Sequence, residues 1–422
     1  MRDLFGIIGT RYLIAILNLA LIFINAKVLG VEGLGLVGLI LAAISIAVMF
    51  CGILAGNAIV YFMNRYSMRA VFVPSYCWIP VGAGLACGGM AIIGLLPEGY
   101  GWDIYILSIL TSLVAANSRF LLGKNHIIGF NLTFILQGGL LFFFLLFFYY
   151  GLGRQDVAAY LFGVYVTNGI AFVVSLLLLL PLLKEEPNHQ RAFPLSLRLK
   201  EMFAYGLWGS ADNIAEILTT RLNYFLIRRF AGLGSVGLLD AGTKISESVW
   251  HINRSIGFIE YSRVAQTNDP FEQKQITLRF FKLTFCVVLL AIGCVLLIPE
   301  WVYTDYLFSA EFAGMRNVII GLSAGIIAMA CNSILSQYFI GSGKIRYSAA
   351  SSFVGLLSLL ASGYLLIPVY GVVGSAVSSS IAFSFMLIFS LIVFCRKTGT
   401  RLSEFQIGKK DIRFVLDKIR KR

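Results

Sequence analysis

The stretch KVLGVEGLGL at residues 27–36 returns later in the chain as RFAGLGSVGL at residues 229–238. The aligned pairs are Lys27 with Arg229, Gly30 with Gly232, Gly35 with Gly237, and Leu36 with Leu238. Two further matches follow in the same order: FLLGKNHI (120–127) with YFIGSGKI (338–345), and Tyr-Gly at 150–151 with Tyr-Gly at 370–371. Glycine recurs at helix ends by chance, but three matches in one order indicate an internal duplication.

The composition around this repeat excludes a soluble protein. Of the 422 residues, 58% are hydrophobic and 13% are charged, and the mean hydropathy is +0.84. An ordinary globular chain is about 45–50% apolar and about 25% charged. The sequence therefore predicts an integral membrane protein. Nucleic-acid binding is a poor explanation of the net charge of +13, so we expect no nucleic-acid partner.

Twelve apolar runs are long enough to cross a bilayer as helices, which takes about 20 residues each. The runs lie at about 11–29, 36–61, 71–95, 103–122, 127–150, 157–183, 203–227, 237–261, 281–299, 317–340, 347–368 and 372–395. With the N-terminus inside, most of the 34 Lys and Arg residues fall in cytoplasmic segments, which agrees with the positive-inside rule. Both termini are therefore predicted to be cytoplasmic.

The most polar interruption, KEEPNHQRAFPLSLRLKE, divides the chain into two halves of six spans. It predicts an N-terminal six-helix lobe at 1–183, a cytoplasmic linker at 184–201, a C-terminal six-helix lobe at 202–397 and a tail at 398–422. Because six is even, both halves enter the membrane from the same side. The predicted fold class is an all-α membrane protein with twelve transmembrane helices, in two lobes related by a pseudo-two-fold axis along the membrane normal.

Span 8 concentrates ionisable residues in the segment DAGTKISESVWHINRS at 240–255. They are Asp240, Lys244, Glu247, His251 and Arg254, and their steps of three and four place them on one side of a helix. Charges inside a bilayer are costly and by default face a cavity or a partner. The stripe therefore predicts a water-filled interior surface. On it, His251 could couple proton movement to conformational change, or it could be a packed interior histidine.

Other spans supply further polar faces. These are Asp212, Glu216 and Arg221 in span 7, Arg11, Asn18 and Asn25 in span 1, and Asn57 late in span 2. A cleft between the lobes would collect these residues with the stripe of span 8. The alternative, for Asp212 and Glu216 and also for the stripe of span 8, is that these charges neutralise one another and only lock helices together.

The cations of this cleft predict an anionic cargo. Arg11, Arg221, Lys244 and Arg254 could hold an anionic group, and arginine suits bidentate contact with phosphate. Asn18, Asn25, Asn57 and Trp250 suit a hydroxyl-rich cargo through hydrogen bonding and ring stacking. The ion-coupling candidates are Asp212, Glu216, Asp240, Glu247 and His251. A sugar-bearing phosphate fits this mixture better than a hydrophobic cationic drug does.

The sequence predicts no metal site and no cofactor. The three His and seven Cys residues have no metal-ligand spacing. The segment GSGK at 341–344 lacks the remaining residues of a nucleotide-binding loop. In the tail, Ile412, Val415, Leu416 and Ile419 form an apolar stripe flanked by cations, which predicts an amphipathic helix on the anionic inner leaflet. That helix would anchor the topology or dock a cytoplasmic partner.

Several segments resemble the polysaccharide flippases of the MOP superfamily, most of all the Wzx-type O-antigen and oligosaccharide translocases. The similar segments are KVLGVEGLGLVGL (27–39), RRFAGLGSVGLLDAGTKI (228–245), LFSAEFAGMRNVIIGLSAGI (307–326) and the glycine- and serine-rich region at 341–383. The resemblance implies a MATE-like, two-lobed fold in the bacterial cytoplasmic membrane. It also implies a cargo of undecaprenyl-diphosphate-linked oligosaccharide, moved from the inner to the outer leaflet. The expected partners are that substrate, membrane lipids, and glycan polymerase or assembly proteins.

Two other functions compete with the flippase. A multidrug or cation antiporter of the same superfamily would favour acidic and aromatic cleft residues over Arg and Lys. A membrane enzyme, such as a glycan polymerase or ligase, generally carries a long outer loop with reactive residues. The longest outer segment here is about 300–316, and it contains no His. We therefore expect a transporter and not an enzyme.

Overall fold

The computed structural model describes residues 2–63, 65–124, 126–184, 195–267 and 269–406, and almost all of them are helical. The helices are α1 (Arg2–Ala55), α2 (Asn57–Phe62), α3 (Met68–Ile92), α4 (Gly101–Gly123), α5 (Ile127–Phe134), α6 (Leu140–Leu146), α7 (Val157–Lys184), α8 (Leu195–Gln266), α9 (Pro270–Leu296), α10 (Met315–Gly341) and α11 (Arg346–Thr398). Two π-helical turns, Ile135–Gly139 and Phe147–Gly151, continue α5 and α6. The predicted tail helix at 412–419 lies outside the described residues.

Three helices are too long to cross a membrane once. α1, α8 and α11 contain 54, 72 and 53 residues, and a straight helix of 54 residues would be about 80 Å long in a hydrocarbon core of about 30 Å. A single glycine with non-helical backbone angles breaks each of them. Within the described residues, these breaks and the shorter helices give twelve segments, as the hydropathy pattern predicts.

Length and composition alone identify fewer spans. Among the described residues, eight helices are long and apolar enough to cross a membrane, and α1 and α11 each contribute one unbroken range to that number. α8 is not one of the eight. Its charged residues lower the hydropathy of both of its segments, so the helix that carries the predicted site is the least lipid-like of the long helices.

The first two breaks have the same geometry. Gly30 has φ 68° and ψ −177°, and Gly232 has φ 79° and ψ −179°. Positive φ is costly for residues with a Cβ atom, so glycine is the favoured residue at both positions. Because Gly30 and Gly232 are also aligned in the repeated sequence, the equal backbone supports the predicted duplication.

The two repeated segments pack reciprocally against each other. A Cβ atom on Gly35 would overlap the carbonyl oxygen of Leu233, and a Cβ atom on Gly237 would overlap the carbonyl oxygen of Val31. In the repeat, Gly35 corresponds to Gly237 and Val31 corresponds to Leu233. Equivalent residues thus exchange partners, which is the pattern of contacts across a two-fold axis.

Two compact units divide the chain. Unit 1 contains Met1–Ala241 and Thr304–Phe312, and unit 2 contains Gly242–Tyr303 and Ala313–Arg422. The limits of the units differ from those of the predicted lobes, because the first segment of α8 is part of unit 1. The two six-helix lobes stay a prediction. Of the predicted linker, Lys184 ends α7, residues 195–201 begin α8, and residues 185–194 lie outside the described part of the chain.

The first segment of α8 packs against α1, which explains why this segment belongs to unit 1. A Cβ atom on Gly206 would overlap the carbonyl oxygen of Ile53, so the backbones of α8 and α1 approach closely at this point. Close approach through a small residue is the usual way for helices to associate in lipid. The ring of Tyr205 also stacks on that of Tyr61, with centroids 4.1 Å apart.

Candidate functional site

Asp240 is the most deeply buried of the predicted site residues whose side chains are described, with 1% of its surface exposed. It lies on α8 after the break at Gly232, directly opposite Gly38 of α1. A Cβ atom on Gly38 would stand 2.9 Å from the carboxyl carbon of Asp240, so the absence of a side chain at position 38 makes room for the acid. Position 38 corresponds to position 240 in the repeat. Two equivalent positions that touch each other lie on the local two-fold axis.

A tyrosine and an arginine accompany this carboxylate within unit 1. The hydroxyl of Tyr224 donates a hydrogen bond of 3.1 Å to Oδ1 of Asp240. Nη1 of Arg221 donates to the Tyr224 hydroxyl at 3.4 Å, and the guanidinium lies 5.8 Å from the centre of the Tyr224 ring. A buried carboxylate is costly unless hydrogen bonds and nearby positive charge compensate it. The structure therefore brings together two predicted residues, Arg221 and Asp240, through a tyrosine that the sequence analysis did not single out.

The other ionisable residues with described side chains are buried or half-buried along α8. Asp212 is 9% exposed, and Glu216, Lys244 and Glu247 are half-buried. Each of these four residues interacts with other groups. Asp212 and Glu216 belong to unit 1, whereas Lys244 and Glu247 belong to unit 2. The polar stripe thus continues along one helix that contributes to both units.

The asparagines predicted on span 1 have different environments. Asn25 is buried, and its side-chain oxygen accepts a hydrogen bond of 2.9 Å from the hydroxyl of Tyr149. This bond ties α1 to the π-helical turn at 147–151, so the Asn25 oxygen is used within the protein. Asn18 is exposed. The side chains of Arg11, Asn57, Trp250, His251 and Arg254 lie outside the described residues, and their predicted roles stay predictions.

Arg119, near the predicted cytoplasmic end of the fourth span, was counted in the sequence only among the cations that indicate the topology. Nη1 of Arg119 donates 3.2 Å to the carbonyl of Ala55, which is the last residue of α1. Gly56 interrupts the helix there with backbone angles of φ −99° and ψ −139°, and a Cβ atom at this position would overlap the carbonyl oxygen of Gly52. The guanidinium satisfies a carbonyl that the end of the helix leaves without an intrahelical partner.

A groove in unit 1 lies next to the C-terminal end of α1. Its volume is about 450 Å³, and its lining is apolar except for one cation. The lining residues are Leu54, Trp78, Leu199, Lys200, Phe203 and Ala204.

Two acidic residues were also missed. Glu260 on α8 is fully buried beside α9, and Glu311 lies in the predicted outer loop before α10. Each is an isolated acid in an apolar stretch, GFIEYS and SAEFAG, which is the only signal that could have marked them.

No protein-family model matches the chain. One curated protein, described as a "Putative O-antigen transporter" of Shigella flexneri, is 24% identical over 187 residues. That match covers 43% of this chain and 44% of the relative, so less than half of either protein is compared.

Solved structures match over nearly the whole chain. An inward-facing multidrug resistance MATE family transporter of the MOP superfamily gives a TM-score of 0.70 at 14% identity, covering 92% of this chain and 94% of that one. The lipid II flippase MurJ, in an inward closed conformation, gives 0.67 at 13% identity, covering 94% and 88%. A MOP superfamily transporter of Pyrococcus furiosus, described as having a binding pocket of reverse polarity, gives 0.56 at 14% identity, covering 94% of each chain.

The glycine-broken helices and this likeness define the fold of a multi-pass α-helical membrane protein. These relatives are transporters and flippases, not enzymes. The particular fold is the one found in a MATE family transporter of the MOP superfamily and in the lipid II flippase MurJ.

Proposed function

We propose that the protein is a flippase that moves an undecaprenyl-diphosphate-linked oligosaccharide, such as an O-antigen repeat unit, from the inner to the outer leaflet of a bacterial cytoplasmic membrane. The observation that carries the proposal is the stripe of charged residues along α8. This helix belongs to a fold that resembles a transporter of the MOP superfamily. The name of the curated relative and the presence of a lipid flippase among the structural neighbours support the same class of cargo.

The chemistry of the cargo suits the charges of α8. A diphosphate carries negative charge that must leave water while the lipid changes leaflet. Lys244 and Arg221, together with the predicted Arg11 and Arg254, would supply compensating charge and bidentate donors. The groove beside Lys200 would receive part of the polyprenyl chain, because apolar surface next to a single cation matches a lipid whose anionic group lies at one end.

Transport would proceed by alternating access. The breaks at Gly30, Gly232 and Gly371 all fall in connections that are predicted to face outward, so spans on either side of each break can tilt without disrupting the helices. Asp240 is the strongest ion-coupling candidate, because it is buried on the local axis and bonded to Tyr224. Binding or release of a cation there would alter the packing of both repeated segments.

The decisive experiment reverses the charge at two predicted phosphate-binding positions. In cells that lack their own flippase for this cargo, Lys244→Glu and Arg254→Glu should abolish surface glycan while the protein still inserts in the membrane. Lys397→Glu is the matched control, because Lys397 lies at the end of α11 with its ammonium 5.7 Å from the Tyr347 ring. Normal surface glycan in both Lys244→Glu and Arg254→Glu would overturn the proposal.

A multidrug or cation antiporter is the second candidate, and one observation favours it. Asp240 is a buried acid beside a tyrosine, which also suits a cationic substrate, and several structural neighbours are MATE transporters. Proteoliposomes with a pH gradient and a cationic dye separate the two functions. Dye transport that Asp240→Asn abolishes would support the antiporter, whereas the flippase proposal expects no dye movement.

A further inference from the structure

The two halves of the chain differ in the loop that follows their third span. The connection between helices runs over 93–100 in the first half and over 297–314 in the second. Both connections contain a similar sequence, LLPE at 95–98 and LIPE at 297–300. The longer loop then adds a π-helical turn and a short 3₁₀ turn before the next helix. We call residues 304–312 of this loop the strap.

The base of the loop is fixed within unit 2. The side chain of Glu300 accepts a hydrogen bond from the backbone N–H of Gly314, which closes the two ends of the loop on each other. The hydroxyl of Tyr303 donates to the carbonyl of Val295 at 3.2 Å, and Tyr303 is 1% exposed. The strap therefore leaves from a defined base and is not a loose connection.

The strap itself is part of unit 1. Oε2 of Glu311 accepts a hydrogen bond of 2.8 Å from the backbone N–H of Val31. The ring of Phe308 packs edge-on against that of Phe23, with centroids 5.2 Å apart. Phe308 and Phe312 are 2% and 0% exposed, and their own rings lie 5.0 Å apart. One polar and one apolar contact thus hold the strap on α1.

The polar contact satisfies a specific need of α1. Val31 is the first residue after the break at Gly30, so its N–H begins a new helical turn and lacks an intrahelical acceptor. A carboxylate at this position both caps the N–H and interacts favourably with the positive end of the helix. At the equivalent break, no described atom lies within 4 Å of the point where a Cβ atom on Gly232 would stand. The carboxylate cap therefore distinguishes one of two backbones that are otherwise alike.

We propose that the strap is a releasable latch on the predicted outer side of the protein. In the closed latch, Glu311 holds Val31 and Phe308 is packed on Phe23. Opening of the latch would free the Val31 N–H and expose the Phe308 ring, because these two contacts hold the strap on α1. The inference rests on the proposed transport function only in what the opening is for. The contacts of the strap can be measured without a substrate.

Hydrogen exchange of the full-length protein in nanodiscs tests the cap. Glu311→Ala should raise the exchange rate of the Val31 amide at least tenfold, and Glu311→Gln should raise it less, because an amide oxygen still accepts. Peptides around 229–238 should not change in either variant. Asp305→Ala is the matched control, because Asp305 is an exposed acid of the same strap that accepts from Thr304 and does not reach Val31.

Thiol labelling tests the release. With the exposed Cys77 and Cys294 replaced by Ser, Phe308→Cys should react slowly with a membrane-impermeant maleimide, and adding Glu311→Ala should accelerate the reaction at least fivefold. Asp305→Cys should react rapidly in both backgrounds. Unchanged exchange at Val31, or labelling of Phe308→Cys that Glu311→Ala does not affect, would overturn the latch. Neither result depends on lipid-linked oligosaccharide, so the latch and the proposed flippase can fail separately.

Discussion

The breaks at Gly30 and Gly232 have almost the same backbone and different surroundings. Both glycines have positive φ and extended ψ, and both begin segments that pack reciprocally through Gly35 and Gly237. Among the described residues, only the first break carries a carboxylate from a distant loop. Eight residues further along, the first copy has a glycine where the second has Asp240. The duplication thus determines the backbone, and the candidate functional groups lie where the copies differ.

The reciprocal packing of the two copies can be broken by valine at either glycine. Gly35→Val and Gly237→Val should each lower the free energy of unfolding by about 3 kcal/mol, because the new side chain overlaps a backbone carbonyl that cannot move aside alone. Chemical unfolding in detergent measures the loss. Gly234→Ala is a suitable control, since its Cβ would lie 3.8 Å from the nearest side-chain atom. If one valine were tolerated and the other not, the packing would not be symmetric.

Alanine at the two breaks sharpens the contrast between them. Gly30→Ala and Gly232→Ala should each cost about 1–3 kcal/mol, because a positive φ combined with a ψ near 180° is a backbone conformation essentially restricted to glycine. Gly30→Ala should cost more, because its Cβ would stand 2.9 Å from Oε2 of Glu311. The double variant Gly30→Ala/Glu311→Ala should lose that excess when thermal unfolding is compared with Glu311→Ala alone. Equal costs for the two single variants would contradict the difference in environment.

Removing single hydroxyls compares the buried polar contacts of the two copies. Tyr224→Phe deletes a donor to the Asp240 carboxylate, and Tyr149→Phe deletes a donor to the Asn25 amide. Hydrogen bonds inside membrane proteins average about 0.6 kcal/mol and reach about 1.7 kcal/mol. We expect Tyr224→Phe near the upper value, because its acceptor is a carboxylate, and Tyr149→Phe near the average. Unfolding free energies in the same detergent test the order, and a larger loss for Tyr149→Phe would reverse our assignment of the central contact.

The smallest effect concerns a second carboxylate that caps a backbone N–H. Glu404 accepts from the N–H of Arg401 at 2.9 Å and pairs with Lys274 at 2.9 Å. The Arg401 N–H, followed by Lys274, lowers the pKa of Glu404 below its ordinary value of 4.5. A lowered pKa stabilises the docked segment above pH 4.5, and the contribution is lost as the pH falls through the folded-state value.

Hydrogen exchange of the 398–406 peptide measures this docking. Protection should fall only as the pH drops below the ordinary carboxyl pKa of 4.5, and Lys274→Ala should shift the fall to higher pH. Glu404→Gln should remove the pH dependence, and its persistence in that variant would show that another group titrates.

The sequence alone predicted the twelve spans and the internal repeat, because the length of apolar runs and the spacing of glycines are local signals. Gly30 and Gly232 could be paired from the letters alone, and their backbone angles agree with that pairing. The bond from Val31 to Glu311 joins residues that are 280 positions apart, and no periodicity predicts such a contact. Asn25 shows the opposite case. Its spacing on span 1 predicts a ligand of the cargo, a role that stays a prediction, and its amide oxygen accepts a hydrogen bond from Tyr149, a partner that only the packing could identify.

The contact between Gly38 and Asp240 also has an evolutionary consequence. In a dimer of two identical six-helix chains, a residue on the symmetry axis faces its own copy, so an aspartate there would place two like charges against each other and one would have to remain protonated. Joining the copies into one polypeptide removes that restriction, since each position can then mutate independently. A single acid opposite a glycine is an arrangement that a symmetric ancestor could not encode.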